Sequence, residues 1–156
     1  MAAKFRGKYR GGVPKIEAEL VRPSDKSRIR HEFILDTGSI YSYAPLSLAL
    51  AMGMDVPDTD EELQKLSESP DLPCYDLSGK KIDICLKGKF TIWLDEWWFE
   101  EVIYFRKNLK YSVLGHSATL RRHPMFVMGG SGETGHYILF EKKSVPPDLK
   151  PTGPTK

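Results

Sequence analysis

The sequence predicts a small domain built mainly from β-strands, with one or two short helices. Short runs that alternate polar and apolar residues, or that are wholly apolar, recur between turn segments rich in glycine, proline, serine and aspartate. These runs predict strands over residues 15–21, 28–35, 89–94, 100–105, 111–114, 124–128 and 136–141. A helix is expected after Pro45, because proline suits the first helical turn and Gly53 suits the position that follows a helix.

The composition is that of an ordinary globular domain and argues against several classes of protein. The chain has 156 residues, 40% of them hydrophobic and 28% charged, and one domain of this length buries about two-thirds of its unfolded surface. A net charge of +2 gives no global reason to expect nucleic-acid or membrane binding. No apolar run approaches the roughly 18 residues that span a bilayer, and the N-terminus lacks the apolar core of a signal peptide, so a cytoplasmic location is expected.

The folded domain is expected to cover residues 14–143. Residues 1–13 carry four basic residues and no acid, which predicts a basic flexible tail, with a nucleic-acid-binding arm as the alternative. Residues 144–156 hold four prolines and are predicted to be disordered. Residues 55–76 hold eight acids and one lysine, and predict a solvated surface insertion, with an acidic face for basic substrates as the alternative.

One stretch carries a reactive group: three apolar residues, Phe33 to Leu35, run directly into Asp36, Thr37 and Gly38. The apolar run predicts a buried strand. An aspartate at its end would lie at the edge of a low-dielectric core on a rigid support, and Gly38 allows a sharp turn and close approach of another chain. By itself, Asp-Thr-Gly is a weak signal, because Asp-x-Gly is also ordinary turn chemistry.

Two further segments make the signal specific. The stretch from Phe33 to Ser39 resembles the active-site signature of aspartic proteases. Val113, Leu114 and Gly115 resemble the hydrophobic-hydrophobic-glycine motif of the single-domain members of that family, the retropepsins. The segment from Tyr43 to Met54 resembles the apolar stretch and short helix that follow the aspartate in bacterial retropepsin-like proteins. The resemblance covers roughly residues 14 to 142 in order and spacing.

The resemblance implies an all-β, single-domain retropepsin-like acid-protease barrel with one or two short helices. It implies an aspartic endopeptidase without metal or other cofactor, acting as a homodimer on a peptide or protein substrate. The sequence holds one Asp-Thr-Gly, so the second aspartate would come from another copy. The residues that match family positions are Asp36, Thr37 and Gly38 for catalysis, Gly38, Ser39, Ile40, Tyr41, Ser78 and Gly79 for substrate, and Val113, Leu114 and Gly115 as a structural motif.

The remaining features are predicted from the residues and their position between the two motifs. Residues 74–86 predict a hairpin with its tip at Gly79, which resembles the retropepsin flap and would place Cys74 opposite Cys85 as reduced thiols. Residues 116–122 predict a helix, in which His116 replaces the arginine that often follows this glycine in the family. Residues 95–99 concentrate aromatic side chains, including Trp97, and core packing is expected with Trp98 or Phe99 facing inward; a subsite wall or dimer contact is the alternative.

Other functions stay open at this point. The four histidines, His31, His116, His123 and His136, show no recognised spacing with an acid or serine and are expected to be surface or core residues. A retropepsin fold that binds peptide or subunits without cleaving is one alternative, and a small β-domain of a larger complex is another. An intact Asp-Thr-Gly-Ser argues for the enzyme, because a binding module needs no reactive acid.

Overall fold

The computed structural model describes residues 3–68, 78, 84–119, 125–130 and 134–140. The strands are β1 (Ala3–Arg10), β2 (Val13–Val21), β3 (Arg28–Leu35), β4 (Ser42–Pro45), β5 (Ile84–Leu94), β6 (Trp97–Arg106), β7 (Ser112–Leu114), β8 (Met125–Gly129) and β9 (His136–Phe140). The helices are α1 (Leu46–Ala51) and α2 (Asp60–Ser67). Alternating sequence runs therefore form strands, as predicted.

Six of these strands close into a barrel. Their order is β3-β7-β4-β6-β5-β2, and β2 pairs again with β3 to complete the ring. The β3–β7 and β4–β6 pairs are parallel, whereas the β2–β3, β2–β5, β5–β6 and β4–β7 pairs are antiparallel. The predicted all-β barrel with short helices is thus confirmed by the strand pairing of this chain.

The barrel encloses an apolar core because every second residue of its strands points inward. Burial of this apolar surface is the main force that holds the barrel closed. The core side chains include Ile16, Ala18, Leu20, Phe33, Leu35, Ile92, Leu94, Phe99, Ile103, Phe105 and Leu114. Phe33 and Leu35 are among them, so the apolar run before Asp36 is a buried strand.

The first strand corrects the prediction for residues 1–13, because residues 3–10 are not a flexible tail. β1 pairs antiparallel with β9 over most of its length, and its last two residues pair with the start of β2. Gly11 and Gly12 make the tight connection to β2, both with positive φ, at 60° and 79°. A two-residue turn with two positive φ values favours glycine at both positions.

The two helices follow from local signals. Pro45 is the N-cap of α1, and Gly53, with φ of 81°, lies just beyond its C-cap. The Thr59 hydroxyl accepts a bond of 3.3 Å from the Glu62 N–H and caps α2 within the acid-rich block. Three acidic residues in the first turn of α2 also suit the positive end of the helix dipole.

Strands β5 and β6 form a long hairpin that places Trp98 and Phe99 on opposite faces. The connection is Asp95 and Glu96, and Asp95 adopts a φ of 55°. Phe99 points into the core, whereas Trp98 points outward and is 52% exposed. β5 begins at Ile84, so residues 84–86 of the predicted flap hairpin are its first residues.

Two other predictions are only partly covered by the described residues. Of the predicted flap, residues 74–77 and 79–83 lie outside the described part of the chain, and Ser78 is described as exposed. Of the predicted helix over 116–122, residues 116–119 form a turn and residues 120–122 lie outside. Residues 141–156 lie outside as well, so the prediction for the C-terminal segment stays a prediction.

Candidate active site

Asp36 directly follows β3 at the point where this strand and β7 run side by side. Its backbone N–H donates to the Leu114 carbonyl over 3.0 Å, which continues the parallel pairing of Leu35 with Leu114 by one residue. Asp36 therefore starts from a fixed backbone position on the barrel. Asp36 lies at the edge of the core, as expected, and it is exposed in the single chain, so one copy alone does not shelter it from water.

The Asp-Thr-Gly loop orients this carboxylate by its own backbone. The Gly38 N–H donates to Asp36 Oδ1 over 2.9 Å, and the Ser39 N–H donates to the Asp36 carbonyl over 3.2 Å. Thr37 lies between them and is half-buried. The carboxylate thus has one oxygen committed to the loop, in an arrangement that fixes its direction before anything binds.

Gly115 holds this loop against the barrel from below. A Cβ on Gly115 would lie 2.6 Å from the Ser39 carbonyl oxygen and still closer to that of Tyr41, so no other residue fits. Next to it, the His116 N–H donates to the Ser39 carbonyl over 2.6 Å and the Ser117 N–H donates to the Ile40 carbonyl over 3.2 Å. The glycine motif thus packs closely against the Asp-Thr-Gly loop.

A buried carboxylate that sequence analysis missed lies behind the two motifs. Glu101 on β6 is 4% exposed, and its Oε2 accepts from the Ser42 hydroxyl and from the Ser117 hydroxyl, each over 2.9 Å. The Ser42 hydroxyl in turn accepts from the Gly115 N–H over 3.1 Å. The signal was present in the strand pattern, because Glu101 occupies an inward position between Phe99 and Ile103.

Aromatic side chains flank the loop on its β4 side. The rings of Tyr41 and Tyr104 lie 4.9 Å apart, and that of Tyr43 lies 6.5 Å from the ring of Tyr41. Burial raises the pKa of Tyr104, and the neighbouring Tyr41 and Glu101 raise it further. Ile40, next to this cluster, is 39% exposed. The three tyrosines therefore form one aromatic cluster where the chain passes from the Asp-Thr-Gly loop into β4.

One histidine has a partner that its sequence spacing did not indicate. His31 Nε2 lies within hydrogen-bonding distance of the Ser112 hydroxyl, between β3 and β7. Burial lowers the pKa of His31, while the nearby Glu32 opposes that shift. Ser112 is 5% exposed, so its hydroxyl is closed to a substrate and the pair is an interstrand contact.

The described residues include neither a metal-binding cluster nor a membrane-spanning helix. Among them there is no group of three or more histidine, cysteine, aspartate or glutamate residues that could hold a metal ion. None of the helices described is long and apolar enough to span a membrane.

Comparison with known proteins gives limited similarity. No family model matches the sequence, and no curated protein is significantly similar to it. Among solved structures, the chain is similar to the crystal structure of a retropepsin-like aspartic protease from Rickettsia conorii, at 16% sequence identity and a TM-score of 0.47. The alignment covers 86% of this chain and 99% of the other. Independently, the closed barrel, the position of Asp36 and the packing of Gly115 agree with the arrangement that the sequence motifs implied.

Proposed function

We propose that this protein is an aspartic endopeptidase that works as a homodimer, with one Asp36 from each copy. The observation that carries the proposal is the Asp36 carboxylate itself. It is exposed at the end of a buried strand, and its direction is fixed by the Gly38 N–H at 2.9 Å. An exposed acid on so rigid a support is prepared for a partner group across a shared site, and the sequence supplies one such loop per chain.

The chemistry follows from bringing two such carboxylates together. Two carboxylates in close contact cannot both be ionised at moderate pH, so the pair shares one proton. The ionised carboxylate takes a proton from a bound water as the water oxygen bonds to the scissile carbonyl carbon. At the same time the protonated carboxyl gives its proton to the carbonyl oxygen. The resulting tetrahedral diol collapses as the newly protonated carboxyl gives its proton to the amide nitrogen and the other carboxylate takes the proton of one diol hydroxyl. The carbon–nitrogen bond breaks, an acid and an amine are released, and the pair again holds one proton. No covalent enzyme intermediate forms.

The residues around Asp36 have distinct roles in this proposal. Thr37 and Gly38 hold the carboxylate and, across the two-fold axis, the loop of the other copy. Ser39, Ile40 and Tyr41 line the substrate cleft, and Ser78 and Gly79 belong to a flap that closes over it. Val113, Leu114 and Gly115 support the loop from below. A second copy covers the exposed Asp36 side chains and supplies the shelter from water that one chain lacks.

Asp36→Asn tests the proposal. An unfolded protein substrate at mildly acid pH should be cleaved by the parent, and cleavage should fall by several orders of magnitude in the variant, because an amide can neither take up nor share the proton. Inhibitors that mimic the tetrahedral diol should block the parent, whereas chelators and serine or thiol reagents should leave it active. Activity should be bell-shaped in pH, since one carboxyl must be ionised and the other protonated.

Asp95→Asn is the matched control, because it makes the same change in an exposed turn with positive φ, where asparagine is well tolerated. It should cleave as the parent does. Sedimentation should show a dimer for the parent and for Asp36→Asn alike. Equal cleavage by Asp36→Asn and parent, or full activity of a monomer at high dilution, would overturn the protease mechanism. A dimer that binds peptides without cleaving them would favour the non-catalytic module.

A further inference from the structure

Glu101 is a carboxylate at an inward-facing position of β6, where an apolar residue would be expected. It points into the barrel between Phe99 and Ile103 on β6, and it is 4% exposed. Moving a carboxylate out of water is unfavourable unless hydrogen bonds replace the lost hydration. The neighbours of Glu101 on the inward face of β6 are apolar, whereas its carboxylate accepts hydrogen bonds from serines of two other segments.

Two hydroxyls that donate to Glu101 Oε2 come from segments that hold the Asp36 loop. The Ser42 hydroxyl belongs to the first residue of β4, directly after the loop, and the Ser117 hydroxyl belongs to the turn after Gly115. One oxygen thus joins the end of the loop to the turn beneath it. Without this oxygen, the two hydroxyls would face each other's segments with no common acceptor.

The direction of the Ser42 hydroxyl gives the contact its specificity. A hydroxyl has a single proton, and here that proton is donated to Glu101 over 2.9 Å. The lone pairs of the same oxygen are therefore left to accept the Gly115 N–H, over 3.1 Å. An acceptor at Glu101 fixes the hydroxyl in the orientation in which it can hold Gly115.

From Gly115 the same constraint continues to Asp36. The turn that begins at Gly115 donates the His116 N–H to the Ser39 carbonyl, and the Ser39 N–H donates to the Asp36 carbonyl. The Gly38 N–H on Asp36 Oδ1 lies between these two contacts in the chain. The path from Glu101 to the Asp36 carboxylate is therefore a chain of hydrogen bonds and one short loop.

We propose that Glu101 is a positioning residue, whose carboxylate locks the Gly115 turn and the start of β4 together and so fixes the direction of the Asp36 carboxylate. This inference rests on the proposed function for its catalytic consequence. Its structural content, the order of the loop and of the turn beneath it, is measurable without any cleavage. Glu101 itself touches no substrate in this scheme.

The test uses Glu101→Ala and Glu101→Gln in the full chain, with Glu100→Gln as the matched control. Glu100 is the preceding residue of β6, lies on the outer face and forms a 3.1 Å ion pair with Lys89. Amide hydrogen exchange is followed at Gly115, His116 and Ser117, relative to core amides of β2 and β5. Where cleavage is observed, kcat and KM are measured for each variant.

Glu101→Ala should raise exchange at the three turn amides by about tenfold or more over the core amides, because the buried Ser42 hydroxyl and the half-buried Ser117 hydroxyl lose their shared acceptor. Glu101→Gln, whose amide oxygen can still accept, should restore most of the protection. In an active protein, kcat should fall with little change in KM, since the loss concerns the direction of Asp36. Glu100→Gln should change neither exchange nor kcat.

If Glu101→Ala does not fold, Ser117→Ala removes one of the two donors and leaves the Ser42 bond in place, and the same exchange pattern is expected with a smaller size. Equal acceleration of turn and core amides would mean general destabilisation and would refute the positioning role. So would a fall in kcat for Glu101→Gln as deep as for Glu101→Ala. A parent that cleaves nothing refutes the proposed function, and the exchange pattern then decides the positioning role by itself.

Discussion

In two regions of this molecule a glycine allows two segments to approach closely, but the group that packs against the glycine differs. Beneath Asp36, Gly115 packs against backbone, the carbonyl groups of Ser39 and Tyr41, and hydrogen bonds surround the contact. Where β1 meets β9, Gly7 packs against a side chain, the ring of Tyr137. The first contact joins two loops, and the second joins two strands that come from opposite ends of the chain.

The difference bears on what each region can tolerate. A backbone carbonyl that is already hydrogen-bonded cannot move without breaking its bonds, so the site is rigid and intolerant of added volume. A ring can tilt, and its cost for an added methyl is spread over its neighbours. We therefore expect the site to fail abruptly and the β1–β9 junction to weaken by degrees, and the following changes test that contrast.

The largest effect is expected from Gly115→Ala. The new methyl would overlap the Tyr41 carbonyl, and relief would require the loop to leave the His116 and Ser117 amides, at a cost of about 3 kcal/mol or more. Urea denaturation measures this loss. Gly38→Ala, whose Cβ would meet only Asp36 Oδ1 at 3.2 Å, is the control and should cost less than about 1 kcal/mol. Equal stability of the two variants would show that the close approach at Gly115 is not a constraint.

Gly7→Ala should cost less, about 1–3 kcal/mol, because the obstacle is the buried Tyr137 ring rather than backbone. The measurement is again urea denaturation, with Lys8→Ala as the control at an exposed position of the same strand. The control should be within about 0.5 kcal/mol of the parent. A loss for Gly7→Ala as large as for Gly115→Ala would remove the contrast between side chain and backbone.

Tyr137→Phe should lose about 1 kcal/mol at neutral pH, since the Tyr137 hydroxyl donates to the Lys15 carbonyl over 2.7 Å. Burial also raises the pKa of Tyr137 above its ordinary value of 10.0. A raised pKa in the folded state means that the unfolded chain loses its proton first, so stability should fall as the pH rises above that ordinary value. Thermal unfolding from neutral to alkaline pH should show a shallower fall in Tyr137→Phe, and parallel curves would contradict the assignment.

The smallest effect is expected at His31, which lies on β3, the strand that leads to Asp36. Burial lowers its pKa below the ordinary 6.5, so the unfolded chain takes up a proton more readily than the folded one. The stability contributed by His31 is therefore present above that ordinary value and is lost as the pH falls through it. His31→Gln should weaken the fall in stability between neutral pH and about pH 5. An unchanged pH dependence would show that burial of the ring has no such consequence.

Sequence reasoning located the site better than it located the termini. The strand before Asp36, the strand before Gly115 and the helix after Pro45 are all local patterns, because periodicity, turn residues and caps act over a few neighbours. The family motif indicated that Gly115 is important. The structure shows the reason, because the Tyr41 carbonyl leaves no room for a side chain at this position. The exposure of Asp36 in one chain was not predicted, because the burial of a side chain depends on the segments and subunits that pack against it.

The first strand was missed although its signal was present. Residues 4–10 alternate basic residues with Phe5, Gly7 and Tyr9, and Gly11 and Gly12 follow as a turn pair. The four basic residues without an acid favoured a flexible tail over this alternation. The strand that pairs with β1 along most of its length lies more than a hundred residues later, at His136–Phe140. No short-range pattern announces such a pairing. For Glu101, the alternation of β6 indicated an inward position, but no local pattern indicated its two serine partners, which come from separate segments.

The pairing of β1 with β9 has a consequence for the chain as it is being made. Ribosomes add about 5–20 residues per second, so β1 waits roughly ten seconds for its partner to emerge. During that time its edge is open to any other nascent strand, which is the usual route to aggregation. The exposed face of β1 carries Lys4, Arg6, Lys8 and Arg10, and like charges at alternate positions repel a second copy of the same edge. We therefore expect these basic residues to disfavour pairing of β1 with a second copy during synthesis, before β9 is available.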